Sequence, residues 1–163
     1  MKQIVNLPVL GIFLFLVVLG FLVLDRSEAG SSADRKFYLT KDTFTGAQAL
    51  TACAKGYHMA SLYEIFEVSN LRYNTILGLT VDDSGSGPPT SDFGWIRTGQ
   101  SSSASSIPGV GNCFVWSSDL SAAEGTAVQL RFNFDFQSDD VVNPWTSDAA
   151  PCHSLIRVWC VQN

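Results

Sequence analysis

Four cysteines, two histidines and two pairs of adjacent aspartates are the residues of this 163-residue chain whose types and spacing could do chemistry. Cys53, Cys113, Cys152 and Cys160 could hold zinc or close two disulfides. Zinc sites usually carry a close pair such as C-x-x-C, whereas the nearest two here, Cys152 and Cys160, have seven residues between them, which favours disulfides over metal. An even cysteine count in an oxidising compartment reads as two bridges, and four cysteines permit three pairings. His58 and His153 have no H-x-x-x-H spacing; His58 reads as a structural histidine beside the first helix, and His153, which follows Cys152, is not expected to be catalytic or a metal ligand. Asp82-Asp83 and Asp139-Asp140 offer the oxygen ligands calcium takes, but no EF-hand spacing surrounds them and they read as solvated loop acids. The serines between 101 and 106 lack a G-x-S-x-G elbow, so no serine nucleophile is indicated. Trp95, Trp116, Trp145 and Trp159 could form a platform for sugar rings, yet tryptophan is generally well buried and these read as core. The reading therefore assigns no cofactor, no metal ligand and no catalytic residue.

The elements that must position these residues follow from periodicity. Lys36–Thr40 alternates as a strand. From Thr45, Ala47, Leu50 and Cys53 recur three apart, Thr45 and Gln48 fit a capping box, and Gly56 stands where a helix would stop; this predicts a three-turn helix with Cys53 on its buried face. A second box, Ser61 and Glu64, opens a shorter helix over Leu62–Val68 with Leu62, Ile65 and Phe66 on its apolar face. Residues 70–111 have loop composition, interrupted by a strand at Phe93–Arg97. Further strands are expected at Cys113–Ser117, Ala127–Phe132 and Arg157–Val161. No internal repeat is found. The order predicts an α+β fold with two helices, an antiparallel sheet and long loops, preceded by one N-terminal hydrophobic helix.

That N-terminal segment, Leu7–Leu24, runs for 18 residues without a charged or hydrogen-bonding side chain and includes Phe13, Phe15 and Phe21. At about 1.5 Å per residue it would span roughly 27 Å as a helix, close to the hydrocarbon thickness of a bilayer. A cleaved signal peptide competes, with Ser27 and Ala29 as the small residues before a cut. The run exceeds a typical signal core, and Asp25 and Arg26 separate it from that cut, which favours an uncleaved single-span anchor. Either way Lys2 marks the cytoplasmic end and the rest is exported, to a periplasmic or extracellular location, as a single-pass membrane protein or as a secreted domain cut near Ala29. The organisation expected is 1–29 anchor or signal peptide, 30–35 linker and 36–163 globular domain.

Composition narrows the partners. The chain is 46% hydrophobic and 15% charged, and ten Lys and Arg against 15 Asp and Glu leave a net charge of −5. The cations are scattered singly, which argues against nucleic acid, whose binding depends on clustered cations.

The stretch Thr45–Leu62, with Ala49-Leu50-x-x-Cys53 followed by Gly56-Tyr57-His58-Met59-Ala60-Ser61, resembles the opening helix and strand of C-type lectin-like domains, which carry A-L-x-x-C and then G-x-H-L-A-S. Asn112-Cys113, then Trp145–Cys152, then Arg157-Val158-Trp159-Cys160-Val161, resemble the end of the same family. The resemblance covers most of 36–163. It implies the pairs Cys53 with Cys160 and Cys113 with Cys152, bridges that could each stabilise by about 4 kcal/mol. Sugar-binding members of the family hold calcium through a Glu-Pro-Asn or Gln-Pro-Asp triplet and an Asn-Asp pair. Here Pro108 stands in Ser106-Ile107-Pro108-Gly109 and Trp145 is followed by Thr146-Ser147, so calcium-dependent sugar binding is not expected. The distance from Cys113 to Cys152 suggests an insertion within 117–144 carrying Phe132, Phe134 and Phe136.

What the resemblance implies for function is a non-catalytic binding module on a membrane anchor, with a protein or surface polymer as partner. An accessory structural subunit of a membrane protein complex is the alternative. An enzyme on a fold like that of formylglycine-generating enzymes is a further one, disfavoured by the short chain.

Overall fold

A computed structural model describes residues 34–67, 70–80, 87–130 and 145–163. The expected anchor residues Leu7, Phe13, Phe15, Phe21 and Leu24, the two aspartate pairs and the three insertion phenylalanines lie outside the described residues. Among the described residues, no helix is long and apolar enough to cross a membrane.

The architecture is α+β: one seven-stranded sheet and few helices. The strands are β1 (Arg35–Leu39), β2 (Tyr57–Met59), β3 (Leu71–Tyr73), β4 (Gly94–Trp95), β5 (Glu124–Leu130), β6 (Trp145–Pro151) and β7 (Arg157–Gln162). Their order is β3-β1-β7-β4-β5-β6, with β2 paired to β7 as well. β7 lies between β1, with Tyr38 opposite Cys160, and β4, with Trp95 beside Val158. The sheet is mixed rather than antiparallel, because β1–β3 and β4–β7 are parallel. The last strand enters the middle of the sheet and β3 reaches β1 only after a crossover, the kind of connection parallel pairs require.

Alternation along the central strands fills two cores. Tyr38, Trp95, Ala127, Val158 and Cys160 face one of them, packed with Trp116 and the Cys113–Cys152 bridge. Phe37, Leu39, Ile96, Val128, Trp159 and Val161 face the other, packed with Ile65 and Trp145. A strand buried on both faces reads as a continuous apolar run, which is why Val158-Trp159-Cys160-Val161 shows no polar alternation. All four tryptophans are buried. Trp95 donates from Nε1 to the Phe44 carbonyl at 2.8 Å and Trp159 to the Val128 carbonyl at 2.9 Å, so neither polar edge is wasted. Gly94 is required by close approach: a Cβ there would stand 2.5 Å from Leu39 Cδ1 and from Trp159 Cδ1.

Three local expectations are corrected. The segment after Thr45 has its capping box but forms a 3-10 helix, Gly46–Thr51, that ends before Cys53. Its buried residues are Gly46 and Ala49, while Ala47 and Leu50 are exposed, so the three-residue spacing holds one position out of frame. The chain leaves the helix because Ala54 N–H donates to Tyr38 Oη at 2.7 Å and Cys53 is bridged to Cys160. The second helix, α1, is Leu62–Phe66, with Ile65 buried but Phe66 partly exposed. Cys113–Trp116, expected as a strand, is a single left-handed turn whose four residues have φ between 48° and 59°.

Candidate functional site

Two adjoining cavities on one side of the domain form an open groove. The larger, about 460 Å3, lies between Leu62, Tyr63, Phe66 and Glu67 on one wall and Thr98, Gln100 and Gly109 on the other. The smaller, about 290 Å3, shares Thr98 and Gln100 and is bounded by Leu50, Ser61, Arg97, Asn112 and Val115. Each wall has a physical origin in the sequence.

The Ser61–Glu64 capping box starts α1: Ser61 Oγ accepts from Glu64 N–H at 3.3 Å, and Ser61 N–H donates to Glu64 Oε2 at 3.0 Å. The same carboxylate accepts from Ser61 Oγ at 2.8 Å, from Arg35 at 3.1 Å and, through Oε1, faces His58 Nε2 at 2.9 Å. Burial pushes the Glu64 carboxyl up, but the donors from Ser61, His58 and Arg35 outweigh it and hold it down at about 2. Glu64 thus fastens α1 to β1 and β2. His58 therefore braces α1 and faces Asn163 Oδ1 at 2.7 Å, a structural role.

The opposite wall continues from β4. Arg97 N–H donates to the Ala60 carbonyl at 2.8 Å and Leu62 N–H to the Arg97 carbonyl at 2.9 Å, which lays 96–97 alongside the start of α1. The Arg97 side chain is half-exposed and forms an ion pair with Glu64, Nη2 to Oε2 at 3.7 Å. Its Nε is buried with no acceptor among the described residues.

The far end is set by the left-handed turn. Asn112, nearly fully buried, accepts at Oδ1 from Val115 N–H at 3.0 Å and Ser103 N–H at 2.9 Å. Its Nδ2 donates to the Ser101 carbonyl at 2.8 Å and the Gln100 carbonyl at 3.3 Å. Left-handed backbone costs non-glycine residues roughly 1–2 kcal/mol each. Asn112, the Cys113–Cys152 bridge and the edge-to-face packing of Trp116 on Trp95 offset that cost. The consequence is that Phe114 and Val115 are 44% and 52% exposed, Val115 bounding the smaller cavity.

Ser61 is not set as a nucleophile. A serine nucleophile needs an imidazole as its immediate partner, with the carboxylate behind it. Here the Glu64 carboxylate stands between Ser61 Oγ and His58, and a carboxyl held near 2 is a weak base at neutral pH. Among the described residues no three His, Cys, Asp or Glu side chains gather as metal ligands.

The cysteines close two disulfides, Cys53–Cys160 and Cys113–Cys152, and neither lies free in the groove. The first ties the segment after the 3-10 helix to β7, and the second ties the left-handed turn to the end of β6. His153 is exposed. Of 117–144, Glu124–Leu130 is β5, paired between β4 and β6, and 131–144 lie outside the described residues. Arg97 is the groove residue that sequence reasoning passed over as the end of a short strand. Its signal is a lone cation closing Trp95-Ile96 immediately before the Thr98-Gly99-Gln100 turn. No family model, no curated protein and no solved structure matches the chain.

Proposed function

We propose that this chain is an exported, membrane-anchored binding module of the C-type lectin-like kind, non-catalytic, that takes a protein or surface polymer in the groove between α1 and residues 97–100. The observation that carries the reading is the groove itself. It is open, walled by elements fastened through Glu64 and Asn112, and rimmed by apolar side chains that a strained turn holds in solvent. Exposed apolar clusters on rigid scaffolds mark interaction sites, and backbone in sparsely populated regions persists where function uses it. Support for the family assignment comes from the two bridges, the β1–β7 pairing that brings the two ends of 35–162 together, and the motifs around Cys53 and Cys160. Support for the anchor comes from Leu7–Leu24.

The test is purification of the full chain in mild detergent, with identification of its N-terminus, followed by a glycan array with and without chelator. The expected result is a retained N-terminus and no calcium-dependent retention of simple sugars. Calcium-dependent binding to a simple sugar would overturn the reading. A stoichiometric membrane protein held through residues 1–29 and indifferent to groove substitutions would replace it with the accessory-subunit reading.

A further inference from the structure

We infer that the end of the sheet by which the chain enters the domain docks, through Lys36, Lys55 and Arg72, on anionic phospholipid headgroups of the bilayer that Leu7–Leu24 spans. The inference rests on the proposed anchor and concerns a face other than the groove.

These cations are scattered along the sequence, and the fold gathers them. β1 and β3 run parallel with Lys36 beside Arg72. The next pair, Phe37 and Tyr73, turn their rings to one face of the sheet, where they meet edge to face at 5.2 Å. Successive side chains alternate between faces, so Lys36 and Arg72 share the other face. Tyr38, two residues after Lys36, lies on that same face and packs on the Tyr57 ring at 5.1 Å, and Lys55 stands in the turn that leads into β2. Lys36 N–H donates to Gln162 Oε1 at 3.1 Å and Asn163 N–H to the Gly56 carbonyl at 3.0 Å, which brings the start of β1, the end of β7 and the Lys55 turn to one end of the sheet. All three cations are exposed, and none forms an ion pair among the described residues.

The neighbouring charges leave this end positive. Arg35 and Glu64 pair with each other at 3.1 Å, and exposed Asp34 offsets one of the three cations. At the opposite end of β1 the charges balance: Arg157 donates to the carbonyls of Thr40 and Lys41 and pairs with Asp92 at 3.4 Å, and Asp42 follows Lys41. A chain of net charge −5 is repelled by an anionic surface except where its cations face that surface, so this end is the one the surface selects.

The tether singles out the bilayer as the partner. Asp34 lies ten positions after Leu24, at most about 36 Å of extended chain, and the tether joins β1 at the end that carries the cations. Each basic group near an anionic leaflet favours contact by about fivefold, so two uncompensated ones give roughly thirtyfold. An anionic polymer in solution has the same charge without the tether.

The test embeds the full chain in lipid nanodiscs of phosphatidylcholine, with and without phosphatidylglycerol, and follows acetylation of each lysine by mass spectrometry. Lys36 and Lys55 are expected to react roughly tenfold more slowly in the anionic discs, while exposed Lys41 at the opposite end of β1 reacts alike in both. Salt at about 1 M, where the Debye length falls to ~3 Å, should abolish the difference. Arg72→Gln with both disulfides formed should reduce the protection of Lys36 and Lys55 by about fivefold. If that variant does not form both disulfides, Lys36→Gln read at Lys55 serves instead. Equal reaction of Lys36 and Lys55 in the two kinds of disc, or slowing of Lys41 by the same factor, would overturn the inference while leaving the anchor standing. Protection by an added anionic polysaccharide, with none from phosphatidylglycerol, would overturn it in favour of a polymer. A chain that does not co-purify with the discs would bring down the anchor and the inference together.

Discussion

At Glu64, burial and hydrogen bonding pull in opposite directions, and the donors win. The folded carboxyl, at about 2, binds its proton more weakly than the unfolded one at the ordinary value of 4.5. The unfolded state therefore takes up protons first as pH falls. The stability Glu64 contributes is complete above about pH 4.5 and is lost progressively down to about pH 2. Partial exposure screens these interactions, so its size at neutral pH is about 1–2 kcal/mol. Glu64→Gln should therefore be markedly less stable than the parent at pH 7, and the two denaturation curves should converge as pH approaches 2. A gap that stays constant across that range would show that Glu64 is not the acid-sensitive group. Arg97 pairs with the same carboxylate at 3.7 Å but is half-exposed, so Arg97→Gln should cost at most about 1 kcal/mol, measured by denaturation at pH 7.

At the scale of elements, the left-handed turn Cys113–Trp116 is the least expected piece and the one that shapes the groove. Cys113-Phe114-Val115-Trp116 is rich in β-formers, and propensity alone makes it a strand. Asn112 overrides that preference by capping Val115 and Ser103 at once, while Cys113 and Trp116 are held by a bridge and a ring contact. Asn112→Ala leaves several buried backbone groups without partners and should cost roughly 2–4 kcal/mol. It should also let Phe114 and Val115 swing inward, which fluorescence of a reporter placed at Phe114 would detect. Unchanged stability in that variant would remove Asn112 as the cause of the turn. By contrast α1 was legible from its capping box, because a local box needs only residues three apart. The 3-10 helix was legible as a helix but not in its frame, because its buried side is set by Cys113 and Cys152 far along the chain: Gly46 N–H donates to the Cys152 carbonyl at 2.7 Å, and a Cβ at Gly46 would collide with Cys113 Sγ.

For the whole molecule, the two bridges divide the work of a loop-rich domain. Cys53–Cys160 closes 107 residues and Cys113–Cys152 closes 39, for which chain entropy gives about 5 and about 4 kcal/mol respectively. Replacing Cys53 and Cys160 together by Ala should give the larger fall in unfolding free energy. Replacing Cys113 and Cys152 should give the smaller fall but the greater loss of groove binding, since Asn112 and Val115 flank Cys113. Chemical denaturation of the two double variants, with fluorescence of a reporter at Phe114 following the turn, separates these effects; a turn disturbed equally in both would show that the groove depends only on global stability.

By itself the sequence determined the pieces whose causes are local: the α+β class, the capping boxes, the strands at β1 and β7, the expectation of two disulfides and the burial of the tryptophans. These rest on residue types and on periods of two to four residues. Only the tertiary structure decided the mixed order of the sheet, the left-handed turn and the gathering of Ser61, His58, Arg35 and Arg97 around Glu64. Those depend on groups dozens of residues apart arriving at one place, where the hydrogen-bonding capacity of a single carboxylate is shared out among several donors.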